Sequence, residues 1–218
     1  MPAINPEIFR KTFTTSPRTV SPTIRLLCRD LNRDHEPIWV PVNPSSDAIV
    51  SECFNNVAAK VKTEGGSLLF GWTIWEWSRV FIEAEHHAVW VNDGVLLDIT
   101  PHVNGEDRVL FLPDPERTYD FVGKTRLTNV KRSLNEFTSV DRWIAASDAL
   151  HRTVEEHSVG NELRIDRNLL KAFSERAWQA QAQILVDLAR STKVNDPCFC
   201  NSRRKFKKCC APLIDLSQ

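Results

Sequence analysis

Gly65-Gly66-Ser67-Leu68-Leu69-Phe70-Gly71-Trp72-Thr73-Ile74-Trp75-Glu76-Trp77, then Glu83-Ala84-Glu85-His86-His87-Ala88-Val89-Trp90, then Asp93-Gly94-Val95-Leu96-Leu97-Asp98-Ile99-Thr100-Pro101: these runs decide the fold class. Aromatic and β-branched side chains suit a pleated, half-buried surface, so strands are expected over 67–77, 80–91 and 95–100. A fourth is expected over 109–112, before Pro113 and Pro115 end the sheet region. Asn92-Asp93-Gly94 is a hairpin signal, because a tight turn needs positive φ and glycine adopts it without a clash.

Upstream, Ile49, Val50, Cys53, Val57 and Val61 recur at helical spacing, with Ser51 expected as the N-cap and Gly65-Gly66 as the stop. Residues 1–50 carry seven of the twelve prolines, which argues against long helices there and predicts short strands over 23–31 and 37–42. Downstream, helices are expected over 140–157 and 167–192. The second places Leu170, Phe173, Ala177, Ile184 and Leu188 on one stripe, to dock on the main domain or on a partner. The expected fold class is α+β, an antiparallel sheet packed on a cysteine-bearing helix. It divides into a main domain at 1–123, a helical arm at 124–192 and a small cysteine-rich module at 193–218.

Lys+Arg and Asp+Glu both number 28, so no global field draws the chain toward nucleic acid or membrane, and any such attraction is local. No run reaches the roughly 18 apolar residues of a membrane span, and the N-terminus lacks a signal-peptide pattern. A cytoplasmic location is expected. Of six cysteines, four fall within residues 198–210, while Cys28 and Cys53 stand alone. In a reducing compartment that distribution favours metal binding and catalysis over cross-links.

The tail reads Cys198-Phe199-Cys200, eight residues, then Cys209-Cys210. Two close thiolate pairs joined by a short loop supply the four ligands that tetrahedral Zn2+ prefers. The segment resembles the SEC-C motif, which implies structural zinc and a docking role, and it departs from that motif at Asn201 and Arg203, where glycines are common. Between the pairs lie Arg203, Arg204, Lys205, Lys207 and Lys208. They either offset the negative charge of a four-thiolate zinc site or contact RNA, a ribosome surface or an acidic protein patch.

A cysteine nucleophile needs a lowered thiol pKa, which a helix N-terminus and an imidazole provide, and the imidazole needs a carboxylate to fix its tautomer. Cys53 lies near its helix start, and Asp98 is the available acid. A two-residue turn at Asp93-Gly94 sets Asp98 opposite Val89 and diagonal to His87, with His86 on the other face as a buried structural histidine; a three-residue loop reverses the choice. The competing reading is structural: Cys53 a small core residue, His86 and His87 polar strand residues, Asp98 the start of a turn. Trp72, Trp75, Trp77 and Trp90 are expected to fill the core, with a ligand groove as the minority reading. Glu83 and Glu85 share the His87 face, as cleft lining, as a solvated strand face, or as metal ligands with His87.

The order of Cys53, Gly65-Gly66, an aromatic strand, His87-Ala88-Val89-Trp90 and Asp98-Ile99-Thr100-Pro101 resembles the transglutaminase-like cysteine superfamily, with a shorter histidine-to-aspartate interval than is usual there. That resemblance implies a transglutaminase/papain-like fold with Cys53 as nucleophile, His87 as base and Asp98 as orienting carboxylate. Residues 50–115 are also similar to a bacterial group of SEC-C-containing proteins, a likeness that implies no activity. The function expected is a cysteine-dependent hydrolase or acyl transferase acting on an amide through a covalent thioester, with a zinc-binding docking tail. The alternative is a non-catalytic adaptor that docks on a protein, RNA or ribosome partner through the basic knuckle.

Overall fold

A computed structural model describes residues 2–124, 127–159 and 162–217. Its elements run β1 (Ala3–Ile4), α1 (Pro22–Leu31), β2 (Ile38–Pro41), α2 (Cys53–Glu64), β3 (Ser67–Trp77), β4 (Phe81–Asn92), β5 (Val95–Leu97) and β6 (Arg108–Pro113). There follow β7 (Val130–Ser133), α3 (Thr138–Glu156), β8 (Ser158–Val159), β9 (Glu162–Leu163), α4 (Arg167–Ser191) and β10 (Ile214–Asp215). No described helix is long and apolar enough to cross a membrane. By contacts the chain divides into two compact units. One joins the residues up to Thr14, Trp77–Phe81 and the chain from Lys131 onward; the other joins Thr15–Glu76 and Ile82–Val130. This division cuts across the expected 1–123, 124–192 and 193–218 blocks, because apolar side chains at the start of the chain and at the β3–β4 turn join the core of the C-terminal part.

In the unit of residues 15–130, the expected strand over 23–31 is a helix. Ser21 accepts from the Ile24 backbone N–H at 3.2 Å, and Pro22 sits in the first turn, where its missing N–H costs nothing. The sheet runs β2-β6-β3-β4-β5, and its paired strands are antiparallel. A parallel bridge from Val42 to Asp98, with Asp98 N donating to Pro41 O at 3.0 Å and Asn43 N to Asp98 O at 2.9 Å, ties the end of β5 back to β2. The sheet therefore closes on itself. Val40, Val89, Val109 and Phe111 fill one face; the other packs on α2 through Phe54, Val57, Ala88, Ile99 and Tyr119. Packing is tight enough at Gly71 that a Cβ there would lie 2.2 Å from the Leu112 carbonyl oxygen.

Register follows from the turn. Asn92 pairs with Val95 and Trp90 with Leu97, a two-residue loop in which Asp93 (φ 49) and Gly94 (φ 78) are both left-handed, as a type I′ hairpin requires. The helix before it departs from expectation. Ser51 is itself left-handed (φ 65) and does not cap; Glu52 is the N-cap, without a side-chain cap bond, and α2 begins at Cys53.

In the other unit, α3 and α4 pack on each other around Val140, Ile184, Leu185 and Leu188, joined by Ile8, Phe13, Trp77, Val80, Phe81 and the cysteine tail. Burial on α4 is confined to its C-terminal half, so of the stripe expected there Ile184 and Leu188 do the packing. Phe13 stacks on Trp77 with ring centroids 4.4 Å apart, and β1 pairs antiparallel with β10. The N-terminal segment thus belongs to the same core as the tail.

Candidate functional site

β4 carries His86 and His87 on opposite faces. His86 is structural: Leu127 N–H donates to its Nδ1 at 3.4 Å, its Nε2 lies 2.6 Å from the Arg117 carbonyl oxygen, and Phe54 packs on its ring at 4.8 Å. Both ring nitrogens are occupied, so it has no lone pair for chemistry.

His87 lies with Asp98. Its Nε2 is 3.0 Å from Asp98 Oδ2, and His102 Nε2 is 2.7 Å from the same oxygen. The other oxygen, Oδ1, accepts the Thr100 backbone N–H at 2.9 Å. Burial alone would raise the Asp98 pKa, but the His87 charge and the bonds from His102 and His87 outweigh it and hold the carboxyl well below the usual carboxylate range. An ionised carboxylate only accepts, so both imidazoles donate from Nε2, and Nδ1 is the basic nitrogen of a neutral His87.

The third group sits at the first turn of α2. Burial disfavours the His87 imidazolium, yet the charges of Asp98 and Cys53, with side-chain hydrogen bonds to both, raise its pKa well above the ordinary imidazole value. His87 is thus bound to Asp98, with His102 on the same oxygen and Cys53 near enough to act on the His87 ring. Cys53 is 4% exposed and packed with Phe54, Val57, Ala88, Ile99 and Tyr119, so an electrophile reaches it only past apolar neighbours. The lone Cys28 has no such partner: burial, with the Glu36 charge adding to it and Arg25 opposing, pushes its thiol up to about 11.

Trp72 and Trp77 are core residues, Trp75 and Trp90 are half-buried against it, and all four N–H groups are satisfied: Trp72 donates to Asp114 at 2.9 Å, Trp75 to Glu85 at 2.6 Å, Trp77 to the Phe199 carbonyl at 3.2 Å and Trp90 to the Gly65 carbonyl at 3.0 Å. Glu83 and Glu85 do not gather with His87 as metal ligands. Asn129 bonds Glu83 at 3.0 Å, Trp75 bonds Glu85, and neither acid is in a metal-capable group among the described residues.

In the other unit, Cys198, Cys200, Cys209 and Cys210 bring their sulfurs within 4.8 Å of one another, all buried. Cys200 Sγ is 3.5 Å from Cys198 Sγ and 3.4 Å from Cys209 Sγ. Tetrahedral zinc with Zn–S bonds of about 2.3 Å sets its sulfurs roughly 3.8 Å apart, so the four thiols fit such an ion with small adjustments. Cys209 Sγ is also 3.2 Å from Ser202 Oγ and 3.8 Å from Lys11 Nζ. Lys11 is a cation the tail sequence does not reveal. Asn201 and Arg203 are both left-handed (φ 58 and 59). Asn201 compensates by donating to the Phe13 carbonyl at 2.7 Å; Arg203 bears the Cβ penalty. Arg203→Gly is accordingly expected to stabilise this unit by about 1 kcal/mol, read as a raised thermal midpoint of the metal-loaded protein. The side chains of Arg203, Arg204, Lys205, Lys207 and Lys208 face solvent, with Phe206 buried among them as the anchor.

Compared with curated proteins and with solved structures, the chain finds no match, so the transglutaminase-like resemblance of the main block has no counterpart there. A family model described as SEC-C motif matches residues 195–212, the stretch that holds all four clustered cysteines.

Proposed function

We propose that this protein is a cysteine-dependent hydrolase or acyl transferase acting on an amide, with a zinc-binding SEC-C tail as a docking element. The observation that carries it is the buried His87–Asp98 pair beside Cys53, in which the Asp98 carboxylate accepts the Nε2–H of His87 at 3.0 Å, leaving Nδ1 as the basic nitrogen that this reading assigns to the thiol. In this reading the Cys53 thiolate attacks the amide carbonyl carbon. His87 gives its Nδ1 proton to the departing amine as the C–N bond breaks, leaving a thioester on Cys53. Water, or an acceptor amine or alcohol, then attacks that thioester while His87 takes its proton, and the thiolate leaves. Asp98 holds the ring and its charge throughout. The four tail cysteines take no part; zinc there orders the knuckle, whose five exposed cations suit an acidic protein patch or a nucleic acid.

The test is carboxamidomethylation of the zinc-loaded protein, followed residue by residue by mass spectrometry. At pH 7 Cys53 is expected to react about a hundredfold faster than Cys28, since only thiolate reacts and the Cys28 thiol titrates far above neutrality. Equal rates would mean that the row is structural, leaving the adaptor reading, in which docking through the knuckle is the whole function.

A further inference from the structure

We infer that His102 is a positioning residue of this site: its bond to Asp98 Oδ2 fixes the carboxylate plane that holds the His87 ring, an inference that rests on Cys53 being the nucleophile. The Asp98 side chain rotates about its Cβ–Cγ bond unless two donors pin it. Thr100 N–H holds Oδ1 at 2.9 Å, and His102 holds Oδ2 at 2.7 Å, closer than His87 does at 3.0 Å. With Thr100 alone, Oδ2 is free to swing away from the His87 ring.

His102 is itself seated. Trp75 from β3 meets its ring edge-on with centroids 5.1 Å apart, and the Trp75 indole is tied to Glu85 of β4 at 2.6 Å. The chain of contacts runs Glu85, Trp75, His102, Asp98, His87, and the titratable groups in contact with the His102 ring are Asp98 and His87. The ligand atoms of His87, Asp98 and His102 lie within 4.8 Å of one another. Both ring nitrogens, however, already donate to one ionised oxygen, so the cluster is complete as a hydrogen-bonded chain without a cation. The Nε2 of His102 meets the oxygen that the Nε2 of His87 also meets, so the two rings are linked by the carboxylate. The influence of His102 on the thiol therefore passes through Asp98.

The experiment measures the pH profile of Cys53 carboxamidomethylation in the zinc-loaded protein, with Cys28 in the same sample reporting whether the fold has opened. His102→Leu fills the space without a donor; it is expected to slow Cys53 about tenfold at pH 7 and to move the midpoint of its profile up by about one unit. His102→Gln returns an N–H to Asp98 and is expected to recover the rate to within about threefold. His102→Met is the donorless comparison if leucine opens the fold. A donorless variant with the wild-type profile overturns the inference while the nucleophile reading stands. So does a glutamine variant that falls as far as the donorless one, since the site would then need the imidazole shape and not its bond. If wild-type Cys53 is no faster than Cys28, the nucleophile reading fails and this inference with it.

Discussion

Cys210→Ser is expected to empty the tail of metal and to release the N-terminal segment with it. Cys210 is fully buried, and a serine oxygen is a poor zinc ligand, so the substitution removes one corner of the tetrahedron. The loss should spread, because the four cysteines share one apolar core with Ile8, Phe13, Phe199, Phe206 and Ile214. Asn201 also holds the Phe13 carbonyl, and β10 holds β1. A destabilisation of at least about 4 kcal/mol is expected, the range point changes reach when they delete a metal. Metal content should fall to zero per chain, the thermal midpoint of this unit should drop, and trypsin should cut after Arg10 and Lys11 at rates the wild type does not show. A variant that keeps its metal and its resistance would remove the metal centre from the account.

Asp98→Asn is the second large effect. The carboxamide keeps the shape, but it carries no charge and has a single accepting oxygen for three donors, so the His87 imidazolium loses its partner. Cys53 reactivity at pH 7 should fall by about 10³. The stability of the unit around it should also change its dependence on pH. The folded pKa of His87 is raised, so the stability it lends is whole below its unfolded value and disappears as pH rises through the folded one. The folded pKa of Asp98 is lowered, so its contribution is whole above its unfolded value and disappears as pH falls through the folded one. Wild type should therefore be most stable between about pH 4 and pH 6.5 and weaken on either side. Asp98→Asn should flatten that profile, as urea midpoints across the range would record; a variant with the wild-type curve would mean that the pair lends no stability.

The part of the site that could be read from the chain is the part governed by local rules. Counting residues across Asp93-Gly94 selects His87 over His86, because a hairpin loop of known length fixes which side chains share a face. Helix spacing marks α3 and α4 to within a residue or two at each end. Errors appear where a residue type has two uses. The prolines before residue 50 suggest extended chain, yet Ser21-Pro22 is also a helix start, and α1 takes that option. Ser51 looks like a cap by type, but its backbone is left-handed and the N-cap position falls one residue later, on Glu52. His102 carried a usable signal, four residues after Asp98 and just past Pro101, though only a turn that folds back on the carboxylate makes the spacing matter. Lys11 and the Phe13 carbonyl carried none, since Cys209 and Asn201 lie nearly two hundred residues away.

That long reach has a cost in time during synthesis. The unit built from Thr15 to Val130 has its whole chain in hand once residue 130 has emerged, and it can close while translation continues. The first fourteen residues must wait for the last cysteine before Ile8 and Phe13 find cover. Over that interval the nascent protein displays a short greasy leader with nowhere to go, a ready handle for a holding chaperone, and one that metal capture at the far end would take away.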